Sequence, residues 1–167
     1  MASIESSKKV MVAIDEAEAS YHTFMWVIKN LHESITNSGN PLLIFFAQPS
    51  AATNNVFAAS LGGARIYSPL SSTHDCNNSV DEKNKIVATK ILEKAKIICD
   101  EYKISAETIV GVGDPKEAIC EAVKKNDITL LVIAGEEQGA VKRVLTWSVS
   151  NYCVQYANCN VLVVKKP

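Results

Sequence analysis

TLLVIAGEEQGAVKRVLTWSVSNYCVQYANCNVLVVKK, residues 129–166, is the stretch on which the reading of the whole chain turns. Its opening TLLVIA is a short apolar run of the kind that forms a strand buried on both faces. Gly135-Glu136-Glu137-Gln138-Gly139 follows as a loop, and a helix is expected to open near Ser148 and bury Val149, Tyr152, Cys153 and Tyr156. VLVV (161–164) then reads as a closing strand. A strand that empties through a glycine turn towards the N–H groups of a helix start is a recurrent way to hold an anion. This loop, however, sets two carboxylates where a phosphate would lie.

The same strand–helix alternation extends backwards to the N-terminus. KKVMVAI (8–14) is an apolar run that delivers Asp15 to its carboxyl end. Asp15, Glu16 and Glu18 load the next helix start with negative charge, which suits its dipole, and Ser20 is a candidate cap. Tyr21, Phe24, Met25, Ile28 and Leu31 give that helix a 3.6-residue apolar stripe. A turn over 37–41 leads to LLIFFA (42–47). Residues 49–80 carry Asn, Ser, Thr, Gly and Pro with scattered apolar side chains, and are expected as a flexible insertion or a lid over the second strand's end. From 81 to 102, Ala88, Ile91, Leu92, Ala95, Ile98, Cys99 and Tyr102 repeat at helical spacing. AETIVGV (106–112) is a looser third strand. Asp114, Pro115 and Glu117 form a helix-start signal, and Ala118, Ile119, Ala122 and Val123 face inward behind it.

Strand–helix alternation of this kind predicts an α/β domain: an open five-stranded parallel sheet in the order 3-2-1-4-5, with helices on both faces. In such a Rossmann-like sheet the ligand crevice lies at the carboxyl ends of strands 1 and 4, where the strand order reverses. Asp15 and the Gly135 loop converge there.

At 167 residues the chain is expected to form a single domain, and 47% hydrophobic against 21% charged residues is an ordinary globular balance. A net charge of −1 gives no reason to expect nucleic acid or an anionic membrane as partner. No apolar run approaches the roughly 20 residues that cross a bilayer. The N-terminus has neither a hydrophobic core of a signal peptide nor the glycine that myristoylation needs, so a soluble intracellular protein is expected. The five cysteines are odd in number and form no CxxC. Cys99, Cys120 and Cys153 read as small buried hydrophobes, and Cys153 with Cys159 is a redox pair only by closeness in sequence. The three histidines are scattered, and no structural metal is expected. No GxSxG, HExxH, Walker or GxGxxG signature is present, and no catalytic set emerges.

VMVAIDEAEAS, VGDPKEAICEAV and GAVKRVLTWSVSNYCVQYANCNVLVVKK, taken together and in this order, resemble the universal stress proteins in their plant single-domain, UspA-like form. The resemblance spans nearly the whole chain. It implies the adenine nucleotide alpha hydrolase-like version of the fold, homodimerisation, and a role in stress responses rather than a defined reaction. Some members of that family bind ATP or AMP through G-x2-G-x9-G-[ST] after the fourth strand, with the first-strand aspartate and a residue near the end of the second strand on the adenosine. Carried onto this chain, that pattern implies nucleotide contacts at Ala13, Ile14, Asp15, Ala47, Ala134, Gly135, Gly139, Ser148 and Val149.

The loop interior departs from the family. Gly-Glu-Glu-Gln-Gly stands for the usual Gly-Ser-His-Gly-Arg-Gly and is one residue shorter, while Trp147 replaces the last glycine. An indole occupies the volume a glycine would leave for phosphate. A carboxylate about 5 Å from a phosphate charge costs about 1 to 3 kcal/mol per pair, depending on the dielectric. Lys142 and Arg143 offset part of this or sit on a solvated face. The expected function is a non-enzymatic, homodimeric binding or signalling module with a degraded AMP/ATP pocket, in the cytoplasm or nucleus. The alternatives are a ligand-independent chaperone-like protein and a slow nucleotide hydrolase. The dimer is expected through the closing strand, because an apolar edge of Val161, Leu162, Val163 and Val164 is a liability unless a twofold mate covers it.

Overall fold

A computed structural model describes residues 8–48, 73–135 and 143–167. The expectations on Glu136, Glu137, Gln138, Gly139 and Lys142, and on most of the 49–80 insertion, therefore lie outside the described residues. In chain order the elements are β1 (Val10–Ile14), α1 (Glu18–Asn30), α2 (His32–Ser38), β2 (Leu42–Gln48), α3 (Thr73–Glu101), β3 (Ala106–Val112), α4 (Pro115–Lys125), β4 (Leu130–Ala134), α5 (Arg143–Tyr156) and β5 (Asn160–Val164). The five strands form one parallel sheet in the order β3-β2-β1-β4-β5, as the alternation predicts.

Period-two geometry divides each apolar run between two cores. Val10, Val12 and Ile14 of β1 meet Ile44 and Phe46 of β2, and these pack against Phe24 and Ile28 of α1 and Leu92 and Ala95 of α3. Met11 and Ala13 face the other way, with Phe45, Leu131 and Ile133, against Ile119, Ala122 and Val123 of α4 and Cys153 of α5. Such a sheet, covered on both faces, needs continuous apolar runs rather than alternating ones. The looser third strand has its own reason for glycine. A Cβ at Gly111 would collide with the Phe45 ring and come within 3.3 Å of the Ala118 Cβ, so the glycine lets α4 settle onto β3.

Two of the crossover helices are followed by a residue with left-handed backbone, Lys103 (φ 58°) after α3 and Asp127 (φ 52°) after α4. In each case the following residue closes the turn: Ile104 donates to the Cys99 carbonyl at 2.9 Å and Ile128 to the Val123 carbonyl at 3.0 Å. Each isoleucine is then buried, which fixes where the next strand starts.

Several local expectations are corrected. α5 opens at Arg143, not near Ser148, so Ser148 lies in its second turn. α3 opens at Thr73, ahead of the apolar periodicity that begins at Ala88. The turn expected over 37–41 is preceded by a short extra helix, α2, anchored by the buried Ile35 and closed by Gly39 at φ 70°. Tyr21 is 55% exposed and Tyr102 is exposed as well, so neither belongs to a buried stripe. Ser20 and Thr23 take the inward positions beside Phe24, Val27 and Ile28. Cys120 is half-buried, in contrast to Cys99 and Cys153.

Candidate functional site

Strand register sets the geometry at the switch point. Ile14 pairs with Phe46 and Ala13 with Ile133. Continuing each parallel ladder places Ala47, Asp15 and Gly135 in one row across β2, β1 and β4. Ala13, Ile14 and Ala134, the residues before that row, are buried. The sheet thus brings together six of the nine positions to which the family pattern assigns nucleotide contacts. Val149 is half-buried on α5, against the α4-side core. Ser148 is described only as part of the helix backbone, and Gly139 is outside the described residues.

Asp15 is exposed but not loose. Its Oδ1 accepts from the backbone N–H of Ala17 at 2.8 Å and from the Ser20 hydroxyl at 2.6 Å, and the Ser20 oxygen in turn accepts from the Asp15 N–H at 3.1 Å. Ser20 is therefore not the helix cap, which is Ala17 without a side-chain bond. It is a clamp in the first turn of the helix that holds the strand-end carboxylate in place. Oδ2 has no hydrogen bond among the described residues and is available to a ligand hydroxyl or amine.

The row is packed tightly on its far side. The Gly135 N–H donates to the Val164 carbonyl at 2.6 Å. A Cβ at Gly135 would lie 3.1 Å from Lys165 Cγ, 3.2 Å from Val163 Cγ1 and 3.2 Å from the Val164 oxygen. The glycine is thus required by the closeness of β5, apart from any ligand. Beyond β5, Lys166 Nζ pairs with Glu18 Oε1 at 2.7 Å, and the hydrogen bond from Lys166 holds the Glu18 carboxyl below its usual range.

On the α1–α3 face, a groove of about 240 Å³ opens beside Asp15. Ile14, Phe24, Ile91 and Ala95 form its floor, and Asp15, Glu16 and Lys94 bring the charges. That is below the roughly 300–1,000 Å³ of typical small-molecule sites. Two acids against one cation also make this rim a poor phosphate cradle. Among the described residues no group of three or more His, Cys, Asp or Glu side chains is placed to hold a metal ion, and no helix is long and apolar enough to cross a membrane.

The universal stress protein family model matches residues 6–165, and the chain belongs to that family. Among curated relatives it is similar to a universal stress protein A-like protein of Arabidopsis thaliana, 32% identical over 85 residues, which are 51% of this chain and 49% of the relative. It is also similar to universal stress protein YxiE of Bacillus subtilis, 31% identical over 110 residues, 66% of this chain and 71% of that one. The match to the Arabidopsis relative thus spans about half of that protein's length. Among solved structures, an Arabidopsis thaliana universal stress protein family protein with AMP bound has a TM-score of 0.63 at 22% identity, covering 96% of this chain and 92% of the other. Two further universal stress proteins of this fold were solved with cAMP and with dAMP, at TM-scores of 0.62 and 0.60. These likenesses establish the five-stranded α/β fold.

Proposed function

We propose that this protein is a homodimeric binding module of the stress response, working in the cytoplasm or nucleus. In this reading it holds adenosine or AMP at the β1–β4 crevice and grips the ATP tail weakly. The observation that carries the reading is the row Ala47–Asp15–Gly135 with its carboxylate pre-oriented by Ser20. A fixed acceptor at a strand end suits ribose or adenine hydrogen bonding and costs little ordering on binding. The AMP, cAMP and dAMP complexes of structural neighbours support the ligand class. The weakness toward ATP follows from the acidic Glu136-Glu137 pair and from Trp147 in place of a glycine. It also follows from the placement of Ser148 in the second turn of α5, where its backbone N–H is committed to the helix.

In this reading the crevice binds rather than catalyses, in keeping with a sequence that carries no GxSxG, HExxH, Walker or GxGxxG signature. Dimerisation runs through β5, whose Val161, Leu162 and Val163 remain half-exposed at the sheet edge. Restoring the family loop, by replacing Glu136, Glu137, Gln138 and Trp147 with the family residues, removes both acidic pairs. At about 1 to 3 kcal/mol per pair, ATP affinity should rise at least tenfold. Unchanged ATP affinity in that variant would sink the degraded-cradle account.

A further inference from the structure

The two edges of the sheet are built differently. β5 is five residues long and runs directly into Lys165 and Lys166, the kind of charge that discourages a further strand. β3 is seven residues long and pairs with β2 through every one of them without a bulge. It contains neither proline nor lysine, and Glu107 is its one charged residue. Apart from that acid it carries none of the usual guards of an exposed edge.

Hydrogen bonds at the two ends of the β2–β3 ladder fix which backbone groups face outward. The Leu42 N–H donates to the Ser105 carbonyl at 2.8 Å, and the Gly113 N–H donates to the Gln48 carbonyl at 3.2 Å. In a parallel ladder, alternate residues turn both backbone groups toward the partner strand. Glu107, Ile109 and Gly111 therefore point at β2. Ala106, Thr108, Val110 and Val112 turn their N–H and C=O groups away from the sheet, where no strand lies among the described residues. Side chains follow the same alternation. Gly111 faces Phe45 and Ala118, and Ile109 packs into the same cluster, so Thr108, Val110 and Val112 lie on the opposite, α3 face. There Val110 is 45% exposed and Val112 67%. A row of unused main-chain groups thus runs beside an apolar, β-branched surface.

We propose that β3 is a docking edge for an extended segment of another polypeptide, which adds one strand to the five-stranded sheet through main-chain hydrogen bonds. An extended backbone is the partner that offers donors and acceptors at the two-residue repeat of the edge. The segment carries β-branched apolar residues on the face of Val110 and Val112. It carries neutral or basic residues on the other face, beside the exposed Glu107. A second copy of this chain fits less well. With β5 given to the homodimer, pairing of β3 with a copy as well would prolong the sheet into an open-ended ribbon. The edge lies two strands from β1 and leaves the Asp15 crevice free.

The test titrates isotope-labelled full-length protein with the end-capped peptide VKVTVKV and follows each amide by NMR shift and hydrogen exchange. The Thr108, Val110 and Val112 amides should shift saturably and, at saturation, exchange about tenfold more slowly. Those of Glu107, Ile109 and Gly111, already bonded to β2, should keep their rates. Two versions of the peptide, N-methylated at alternate residues, separate backbone pairing from apolar contact: one should bind as the parent does and the other should not bind. Val110→Lys puts a charge on the edge and should weaken the peptide about tenfold or more. Val110→Pro removes an outward N–H but no bond to β2, and should weaken it likewise. Equal binding of both methylated peptides, no saturable shift along β3, or unchanged affinity in Val110→Lys would overturn the proposal. So would a smaller assembly in Val110→Lys, which would make β3 a contact between copies. The methylated pair needs no variant to fold.

Discussion

Gly135→Ala probes the tightest junction in the site. The added methyl would meet Lys165 Cγ at 3.1 Å and Val163 Cγ1 and the Val164 carbonyl oxygen at 3.2 Å each. The lysine stem can swing away. The valine methyl is held by its stiff χ1, and the carbonyl is fixed by its 2.6 Å bond from the Gly135 N–H. Overpacking of this kind costs about 1 to 3 kcal/mol. The Gly135 backbone is not in the left-handed region, so alanine regains about 0.4 to 1 kcal/mol through the unfolded chain. The net expectation is a loss of about 1 to 2 kcal/mol, which for a chain of this size lowers Tm by about 2–8 °C. Urea titration of Gly135→Ala, Val163→Ala and the double variant then isolates the contact. The double variant should be more stable than additivity allows by about 0.5 to 1.5 kcal/mol, because removing the valine methyls relieves the clash. Additive losses, or a Gly135→Ala protein as stable as the parent, would show that β5 does not press on the end of β4.

Gly111→Ala should cost about 2–3 kcal/mol, more than Gly135→Ala, because the Phe45 ring it strikes is buried and cannot withdraw; urea midpoints of the two variants decide the order. Ser20→Ala should weaken AMP binding by about three- to tenfold through loss of one charge-assisted hydrogen bond to Asp15, with the far-ultraviolet circular dichroism unchanged. Val163→Pro should give monomer or aggregate on size-exclusion chromatography, and an intact dimer would refute pairing through β5. Alkaline pH should destabilise the fold through two thiols: desolvation raises Cys99 to about 11 and Cys153 to about 12. Because these folded values lie above the unfolded one, their stabilisation is complete below about pH 9 and is lost as pH rises to 11 and beyond, with a slope of at most about 3 kcal/mol per pH unit. Comparing urea midpoints across pH 8–11 with those of Cys153→Ala should show a shallower slope in the variant.

The sheet order and both cores are legible in the sequence because the strands other than the looser AETIVGV are short apolar runs, and a helical stretch separates each strand from the next. The convergence of Asp15 with Gly135 follows from that order alone. What was not legible depends on contacts between elements. α2 is a polar seven-residue helix with one buried anchor, Ile35, too little to make a period. Its neighbour α1 turns hydroxyls inward at Ser20 and Thr23, so a hydrophobic count assigns Tyr21 to the core in their place. α3 begins among Asp, Asn and Ser, whose weak helix propensity masks its first turns. The role of Ser20 as a clamp, rather than a cap, appears only once the β1–α1 turn brings its hydroxyl to Asp15.

The most direct test of the site is a calorimetric titration of the purified protein with adenosine, AMP and ATP in parallel, with magnesium present, repeated on Asp15→Ala. Saturable binding of adenosine or AMP, weaker binding of ATP, and loss of all binding in Asp15→Ala are the predicted results. ATP binding more tightly than AMP, or no binding of any of the three, would contradict the account.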